Sequence, residues 1–181
     1  MNKMDRTAEK AKGAEAAALA TPTDLSGNGV KAIASALNTL CADTFALYMK
    51  TKNFHWHMSG SHFRDYHLLL DEHAEQIEAM IDPLAERVRK LGQTTLRSIG
   101  NIAKLQTIED NNEDFVPAGP MLKELEADNR AMASAMRKAH ELCDDNDDVA
   151  TASLLEVWID QAERRTWFLF EASQGVDGSG H

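Results

Sequence analysis

The sequence predicts an all-α fold, a four-helix bundle with a short extra helix in the long connection between helices 2 and 3. Apolar residues recur every three or four positions over four long stretches, which is the period of a helix that buries one face. No stretch shows the strict apolar-polar alternation of a half-buried strand, and glycines, prolines or acidic runs separate the four stretches. At 181 residues, the chain is long enough for one domain plus terminal tails.

Composition excludes several function classes. The chain has 19 Lys and Arg against 29 Asp and Glu, a formal net charge of −10, which argues against a nucleic-acid surface over the whole body and suits the attraction of cations. Its two cysteines, Cys41 and Cys143, are too few for a disulfide framework or a thiolate zinc site, and they indicate free thiols in a reducing compartment. The apolar runs are too short for a membrane span or a signal-peptide core. We therefore expect a cytoplasmic protein with no membrane partner.

The chain divides into a tail, a bundle and a second tail. Residues 1–27 are rich in alanine, threonine, glycine and small polar residues, which predicts a flexible N-terminal tail. Residues 28–175 carry the helical periodicity and are expected to form the bundle, and residues 176–181 are expected to form a short C-terminal tail. The N-terminal tail is locally basic, with positive charges at Lys3, Arg6, Lys10 and Lys12.

The first two predicted helices form a hairpin. The first begins near Val30, and Gly60, with a serine on either side, breaks its period. The second spans residues 62–91; Gly92 is expected to end it, and Pro83 is expected to bend it because a proline removes one backbone hydrogen bond. The predicted buried stripes are Ile33, Leu37, Leu40, Thr44, Leu47, Thr51 and His55 in the first helix, and Phe63, His67, Leu70, Ala74, Ile77, Ile81, Leu84, Val88 and Leu91 in the second.

A long connection, residues 93–118, precedes the third helix. It is irregular apart from one short helix expected near residues 98–104, and it is long enough to cross the length of the bundle. Prolines and a glycine at 117–120 then open the third helix. The acidic residues 144–148 are expected to form a turn, and the last of them suit the start of the fourth helix, which should end near Gly175.

Five polar residues in and beside the second helix are candidate metal ligands. His55 ends the first helix and His67 lies near the start of the second, so the turn between them places the two imidazoles at similar heights. Asp71 lies one helical turn after His67, and Asp82 and Glu86 form a second pair spaced by four residues. Imidazole and carboxylate ligands suit Fe(II), and also zinc, manganese or cobalt. The alternative is structural, because histidines at helix ends and acidic pairs on a helix face often have no metal; His67 favours a ligand, since a polar group in an apolar stripe needs a partner.

These five residues cannot bind one ion within one chain. His67 and Asp82 are fifteen residues apart, which is about 22 Å along a helix. A second, antiparallel copy of the helix changes this, because a two-fold axis between Gln76 and Ile77 exchanges position 67 with 86 and position 71 with 82. The spacing therefore predicts two identical sites per dimer, each built from both chains.

An intrasubunit di-iron centre is not expected. Such centres in helix bundles carry a glutamate three residues before a histidine on paired helices. None of the seven histidines has a glutamate at that position.

Two segments resemble the signatures of the Dps family, the miniferritins of the ferritin-like superfamily. The first runs HWHMSG at residues 55–60, then Tyr66-His67 and Asp71; the second runs IDPLAER at 81–87 and continues to Leu91-Gly92. A weaker resemblance spans residues 163–167 of the last helix, and Tyr66 stands where an aliphatic residue is more usual in the family. The resemblance covers about residues 28–173.

The resemblance implies a hollow dodecamer built from two-fold dimers of ferritin-like four-helix subunits. It also implies a ferroxidase site with two iron ions at each dimer interface. This site would oxidise Fe(II), preferably with hydrogen peroxide, and the shell would store ferric oxyhydroxide. The ligands carried over by position are His55, His67 and Asp71 from one chain with Asp82 and Glu86 from the other.

The resemblance also leaves a second function open. Some members of the family bind DNA through basic N-terminal tails, and the tail here offers Lys3, Arg6, Lys10 and Lys12. Several copies on one shell could bind multivalently, although the acidic body would repel DNA. The leading expectation is an iron-storing ferroxidase that protects against oxidative damage. The alternatives are a DNA-compacting shell with little catalytic role and a helical bundle without metal.

Overall fold

The computed structural model describes residues 18–174, which form five helices and no strand. These helices are α1 (Gly27–His57), α2 (Phe63–Lys90), α3 (Ile99–Leu105), α4 (Ala118–Asp144) and α5 (Val149–Ser173). Four long helices with a short one between the second and third confirm the predicted fold class. The basic residues of the predicted N-terminal tail lie outside the described residues.

The helix α1 begins three residues before the apolar period does. The side-chain oxygen of Ser26 accepts a hydrogen bond from the backbone N–H of Gly29, 3.3 Å away. This N-cap satisfies one of the free N–H groups in the first turn and explains why the helix starts at Gly27.

Gly92 ends α2, as the sequence predicts. Its φ is +73°, a left-handed conformation that favours glycine. The N–H of Gly92 donates to the carbonyl of Arg89, and the N–H of Gln93 donates to the carbonyl of Val88. These two bonds form a Schellman motif, which satisfies two carbonyls that the helix end would otherwise leave free. A Cβ on Gly92 would also lie 2.6 Å from the backbone oxygen of Thr21, which packs against this helix end.

We expect Gly92→Ala to destabilise the fold by about 1–3 kcal/mol, because alanine is strained at positive φ and would collide with Thr21. Urea unfolding followed by circular dichroism measures the change. The matched control is Gly100→Ala in α3, where the new Cβ meets nothing closer than the Ser98 hydroxyl at 4.0 Å. Equal midpoints for the two variants would contradict the prediction.

The connection between α2 and α4 crosses the length of the bundle. Three side chains spaced along α1 hold it, with Asn38 donating to the carbonyl of Thr94, Asp43 accepting from the backbone of Thr107 and Ile108, and Asn53 donating to the carbonyl of Asn111. The connection thus returns the chain to the end of the bundle where α1 finishes. As a result α4 runs parallel to α2, and this is not a simple up-and-down meander.

The acidic turn between α4 and α5 is partly buried. Asp148 caps α5, because its carboxylate accepts from the backbone N–H and the hydroxyl of Thr151. The same carboxylate pairs with Arg87 of α2. The predicted role of the last acidic residues in starting the fourth helix is confirmed, and Arg87 supplies the countercharge that a buried carboxylate requires.

The buried stripe of α2 differs from the predicted one at its start. Phe63, predicted to be buried, is 45% exposed, whereas His73 and Met80, which were not predicted, are buried. The predicted stripe has a period of 3.5 residues, and a straight helix drifts by about 20° per heptad from that period. Over the length of α2 the drift turns the first predicted positions away from the core. The helix continues through Pro83, so the expected bend stays a prediction.

By length and composition, α1 could cross a membrane, the one such helix among residues 18–174. From the sequence we expected no membrane span, because no uninterrupted apolar run is long enough. In α1, however, an 18-residue window reaches a mean hydropathy of 1.2 although polar residues interrupt it. Because 56% of this window is buried inside the bundle, its apolar side chains already pack against other helices. A core helix of a soluble protein passes the same test, so this is weak evidence for a membrane span.

Both cysteines are buried free thiols, as the sequence predicts. Burial raises the pKa of the Cys41 thiol to about 11. A thiol that stays protonated is a poor nucleophile and a poor metal ligand.

Candidate metal centre

The two candidate histidines meet where α1 turns into α2. His55 lies in the last turn of α1, and His67 lies in the second turn of α2. Gly60 has a φ of +111° and accepts a hydrogen bond from the N–H of Phe63, so it reverses the chain between the two helices. The structure thus brings the two imidazoles together, as the sequence predicts.

The two imidazoles hold each other in place. Nδ1 of His55 lies 2.8 Å from the carbonyl oxygen of His67, and Nδ1 of His67 lies 2.9 Å from the carbonyl oxygen of His55. The rings stack with centroids 3.7 Å apart and planes 20° apart. Because a carbonyl oxygen can only accept, each Nδ1 donates, and in the neutral ring each Nε2 keeps its lone pair. A hydrogen bond of this kind fixes the tautomer and orientation of a metal-binding histidine.

Asp71 lies next to this pair. One oxygen, Oδ1, is 3.8 Å from Nε2 of His55 and 2.7 Å from Nζ of Lys52. The hydrogen bond from Lys52 lowers the pKa of the Asp71 carboxyl, outweighing its partial desolvation, and the charges of Lys52 and the two histidines act in the same direction. The carboxylate is therefore ionised at neutral pH and is 41% exposed, so it is accessible to an ion from solution.

Asp82 and Glu86 lie elsewhere on α2. Both are exposed, and Glu86 is 3.4 Å from Lys90 of the next turn. His67 and Asp82 are fifteen residues apart, which corresponds to about 22 Å along the helix. Within residues 18–174 of one chain, no three His, Cys, Asp or Glu side chains are grouped as a metal site would require. The candidate ligands of one chain thus lie in two separate groups.

Exposed apolar residues border the histidines. Trp56, directly after His55, is 56% exposed, and Phe63 packs against His67 with ring centroids 5.0 Å apart while 45% of it faces solvent. Contiguous exposed apolar side chains often mark a surface that docks against another protein.

Comparison with known proteins identifies the family. The model of the ferritin-like domain family matches residues 34–174. The chain is 30% identical to DNA protection during starvation protein 1 of Deinococcus radiodurans, over 76% of this chain and 66% of that protein. The chain belongs to the Dps family. A further relative, a low temperature-induced protein of Nostoc of uncharacterised function, is 32% identical over 80% of this chain and 82% of that protein.

Solved Dps structures share the fold. The crystal structure of the Dps protein from Vibrio cholerae O1 matches with a TM-score of 0.79 and 26% identity, covering 84% of this chain and 96% of that one. That protein is described as a member of a broad superfamily of ferritin-like diiron-carboxylate proteins. The ferritin-like assignment of the bundle is thereby confirmed.

Sequence reasoning did not single out Lys52 in this Dps chain. Lys52 precedes His55 by three residues, which places both side chains on one face of α1. That spacing was the available signal, but the acidic partner, Asp71, lies on another helix. Only the packing of α1 against α2 brings the ammonium and the carboxylate together.

Tyr66 departs from the usual Dps pattern, and the structure explains how it fits. Its hydroxyl donates to the carbonyl of Ala172, 3.0 Å away near the end of α5. Partial burial, with a smaller contribution from Asp65, raises the pKa of Tyr66. The phenol therefore links α2 to α5 as a hydrogen-bond donor. Tyr66 directly precedes His67 in the sequence, and it replaces none of the candidate ligands.

Proposed function

We propose that this Dps protein oxidises Fe(II) at sites shared between two chains and stores the ferric product in a hollow shell. The observation that carries the proposal is the pair His55 and His67, each of which donates a hydrogen bond to the other's backbone carbonyl, with Asp71 beside them. Two fixed imidazole nitrogens and one ionised carboxylate are ligands that Fe(II) accepts. Membership of a superfamily described as diiron-carboxylate proteins supports iron as the metal.

The remaining ligands come from a second chain. Asp82 and Glu86 are exposed on the same helix as His67 and Asp71, and an antiparallel pairing of two α2 helices brings each set opposite the other. The exposed faces of Trp56 and Phe63 give this pairing an apolar border. Each dimer would then contain two sites, each with His55, His67 and Asp71 from one chain and Asp82 and Glu86 from the other, and each holding two iron ions.

Iron is the substrate of the reaction, with hydrogen peroxide as the preferred oxidant. Two Fe(II) ions each lose one electron, and one peroxide takes both electrons as its O–O bond breaks. With two water molecules, the products are two units of ferric oxyhydroxide and four protons. Because both electrons arrive at one fixed site, the peroxide is not left half reduced, which limits the release of hydroxyl radical. The carboxylates balance the charge of the ions, and the imidazoles fix their positions.

A direct assay tests the proposal. We expect the parent protein, loaded anaerobically with Fe(II) and then mixed with hydrogen peroxide, to develop ferric absorbance rapidly. The double variant His67→Ala, Asp82→Ala should oxidise iron no faster than buffer does, because each site loses a ligand from both chains. The matched control is His57→Ala, an exposed histidine two residues from His55 whose ring hydrogen-bonds, within residues 18–174, to the backbone of Asn53. Assembly of all three proteins is checked by size, and equal rates would contradict the proposal.

The shell and the location are further parts of the proposal. A dodecamer made of two-fold dimers would enclose the mineral, and the net charge of −10 per chain would help concentrate iron cations near it. Two free thiols are consistent with the bacterial cytoplasm.

The second candidate function is DNA binding, which the name of the Deinococcus relative favours. The basic residues Lys3, Arg6, Lys10 and Lys12 are the candidate contacts, and all four lie outside the described residues. In this case the protein would compact or coat DNA, with little catalytic role.

Deleting residues 1–17 separates the two functions. We expect the deletion to abolish any retention of DNA in a gel-shift assay and to leave iron oxidation unchanged, since no candidate ligand lies in this segment. Any DNA binding by the full chain should weaken steeply between low and moderate salt, because lysine and arginine displace counterions from phosphates. Binding that ignores salt would contradict a mechanism through the basic tail.

A further inference from the structure

A layer of polar side chains crosses the interior of the bundle. It contains His73 from α2, Asn129 from α4 and Arg165 from α5, which are 1%, 1% and 0% exposed. Helix bundles of the di-iron class place their metal ligands in the bundle core, but here the core carries an arginine and an amide and lacks the glutamate-histidine motif. The layer therefore needs its own explanation.

Arg165 is held at one of its nitrogens and unsatisfied at the other two. Its Nε donates to Oδ1 of Asn129 over 2.7 Å, and the amide of Asn129 is itself fixed by donating to the carbonyl of Leu125. Both terminal guanidinium nitrogens are buried and have no hydrogen-bond partner among the described residues. Four N–H donors are thus turned into the bundle interior without an acceptor.

The charge of Arg165 also lacks a counterion. No carboxylate in the described part of the chain forms an ion pair with Arg165, and burial alone lowers its pKa to about 10. A group with this pKa is still charged at neutral pH. Burying a charge without a partner costs several kcal/mol, so a compensating negative charge is expected.

His73 supplies a second unsatisfied group on a different helix. Both of its ring nitrogens are buried without a hydrogen-bond partner among residues 18–174. Burial lowers the pKa of the ring to about 3, and the charges of Arg165 and Arg164 act in the same direction. The edge of Phe168, with its centroid 6.5 Å away, closes one side of the ring. A neutral imidazole can turn one N–H toward an acceptor placed between it and the guanidinium.

We propose that a small inorganic anion of the halide class binds in the bundle interior between Arg165 and His73. A metal cation is excluded, because the guanidinium would repel it and no carboxylate among the described residues pairs with Arg165 to hold it. The anion accepts hydrogen bonds from the terminal nitrogens of Arg165 and from the imidazole. Since α2 and α5 belong to different helix hairpins, this bound ion ties the two halves of the bundle together.

Bromide diffraction on the unaltered full-length protein tests the site directly. Crystals grown with sodium bromide in place of chloride should show an anomalous peak within hydrogen-bond distance of the Arg165 guanidinium. No peak there would overturn the proposal and leave water as the occupant of the layer. This measurement needs no variant, so it decides the question even if substitutions at Arg165 prevent folding.

A matched pair of variants tests whether the ion contributes to stability. Replacing gluconate with chloride at constant ionic strength should raise the Tm of the parent by about 2–4 °C. The rise is expected because an anion that binds only the native state stabilises it. Arg137→Gln should keep this rise, because Arg137 is a surface residue paired with Glu163. Arg165→Gln should lose it. A rise that survives in Arg165→Gln, with or without a bromide peak, would show an adventitious ion only and overturn the proposal.

Discussion

Mixing two inactive variants should restore iron oxidation. His67→Ala and Asp82→Ala each remove one ligand from every site, so each protein alone should be inactive in the peroxide assay. In a dimer that contains one chain of each kind, one site loses both ligands while the other keeps all five. Random pairing should therefore return about one quarter of the parent activity, since half of the dimers are mixed and each has one intact site.

The restoration depends on the site being shared between chains. If each chain held a complete site, no mixture of these variants would contain an intact one. The two chains are co-expressed in equal amounts and purified without selecting for mixed dimers, and ferric absorbance is followed after peroxide is added. A mixture of His67→Ala and His55→Ala is the control, because these two residues lie on the same side of the site and mixing them leaves no site complete. Activity near zero in the first mixture would rule out the shared site.

The sequence predicted the helices well where side-chain chemistry and spacing agree. Gly92 ends α2 because the left-handed conformation of the Schellman motif favours glycine, and that preference can be recognised from the residue alone. The approach of His55 to His67 was also predictable, because a short turn between two helices leaves the flanking positions little freedom.

Contacts that depend on packing could not be predicted in this way. The exchange of hydrogen bonds between each imidazole and the other histidine's carbonyl depends on the rotation of α1 against α2, which no spacing rule specifies. Arg165 shows the limit more sharply. Its spacing from Ala162 and Leu169 places it on the buried face of α5, but arginine is usually exposed, so residue type argued against the correct position.

The ammonium group of Lys52 competes with metal for Asp71, so Lys52→Gln should bind divalent metal more tightly than the parent. The ammonium lies 2.7 Å from the Asp71 oxygen that would face an ion, and it must move away or repel that ion. Two unit charges 4 Å apart in water interact by about 1 kcal/mol, and a divalent ion doubles this. Because the lysine can swing partly into solvent, we expect a net gain of roughly tenfold in affinity.

Titration calorimetry with Co(II), which suits the same ligands without being oxidised, measures this affinity. The number of sites should stay unchanged, and Lys104→Gln, at an exposed lysine on α3, should match the parent.

The pH dependence of the affinity gives a second readout. Lys52 lowers the pKa of Asp71, so without it the carboxyl takes up a proton at a higher pH, and the affinity of Lys52→Gln should begin to fall at a higher pH than that of the parent. Unchanged affinity at neutral pH would mean that the ammonium leaves Asp71 without cost, and the Lys52–Asp71 pair would then have no influence on iron loading.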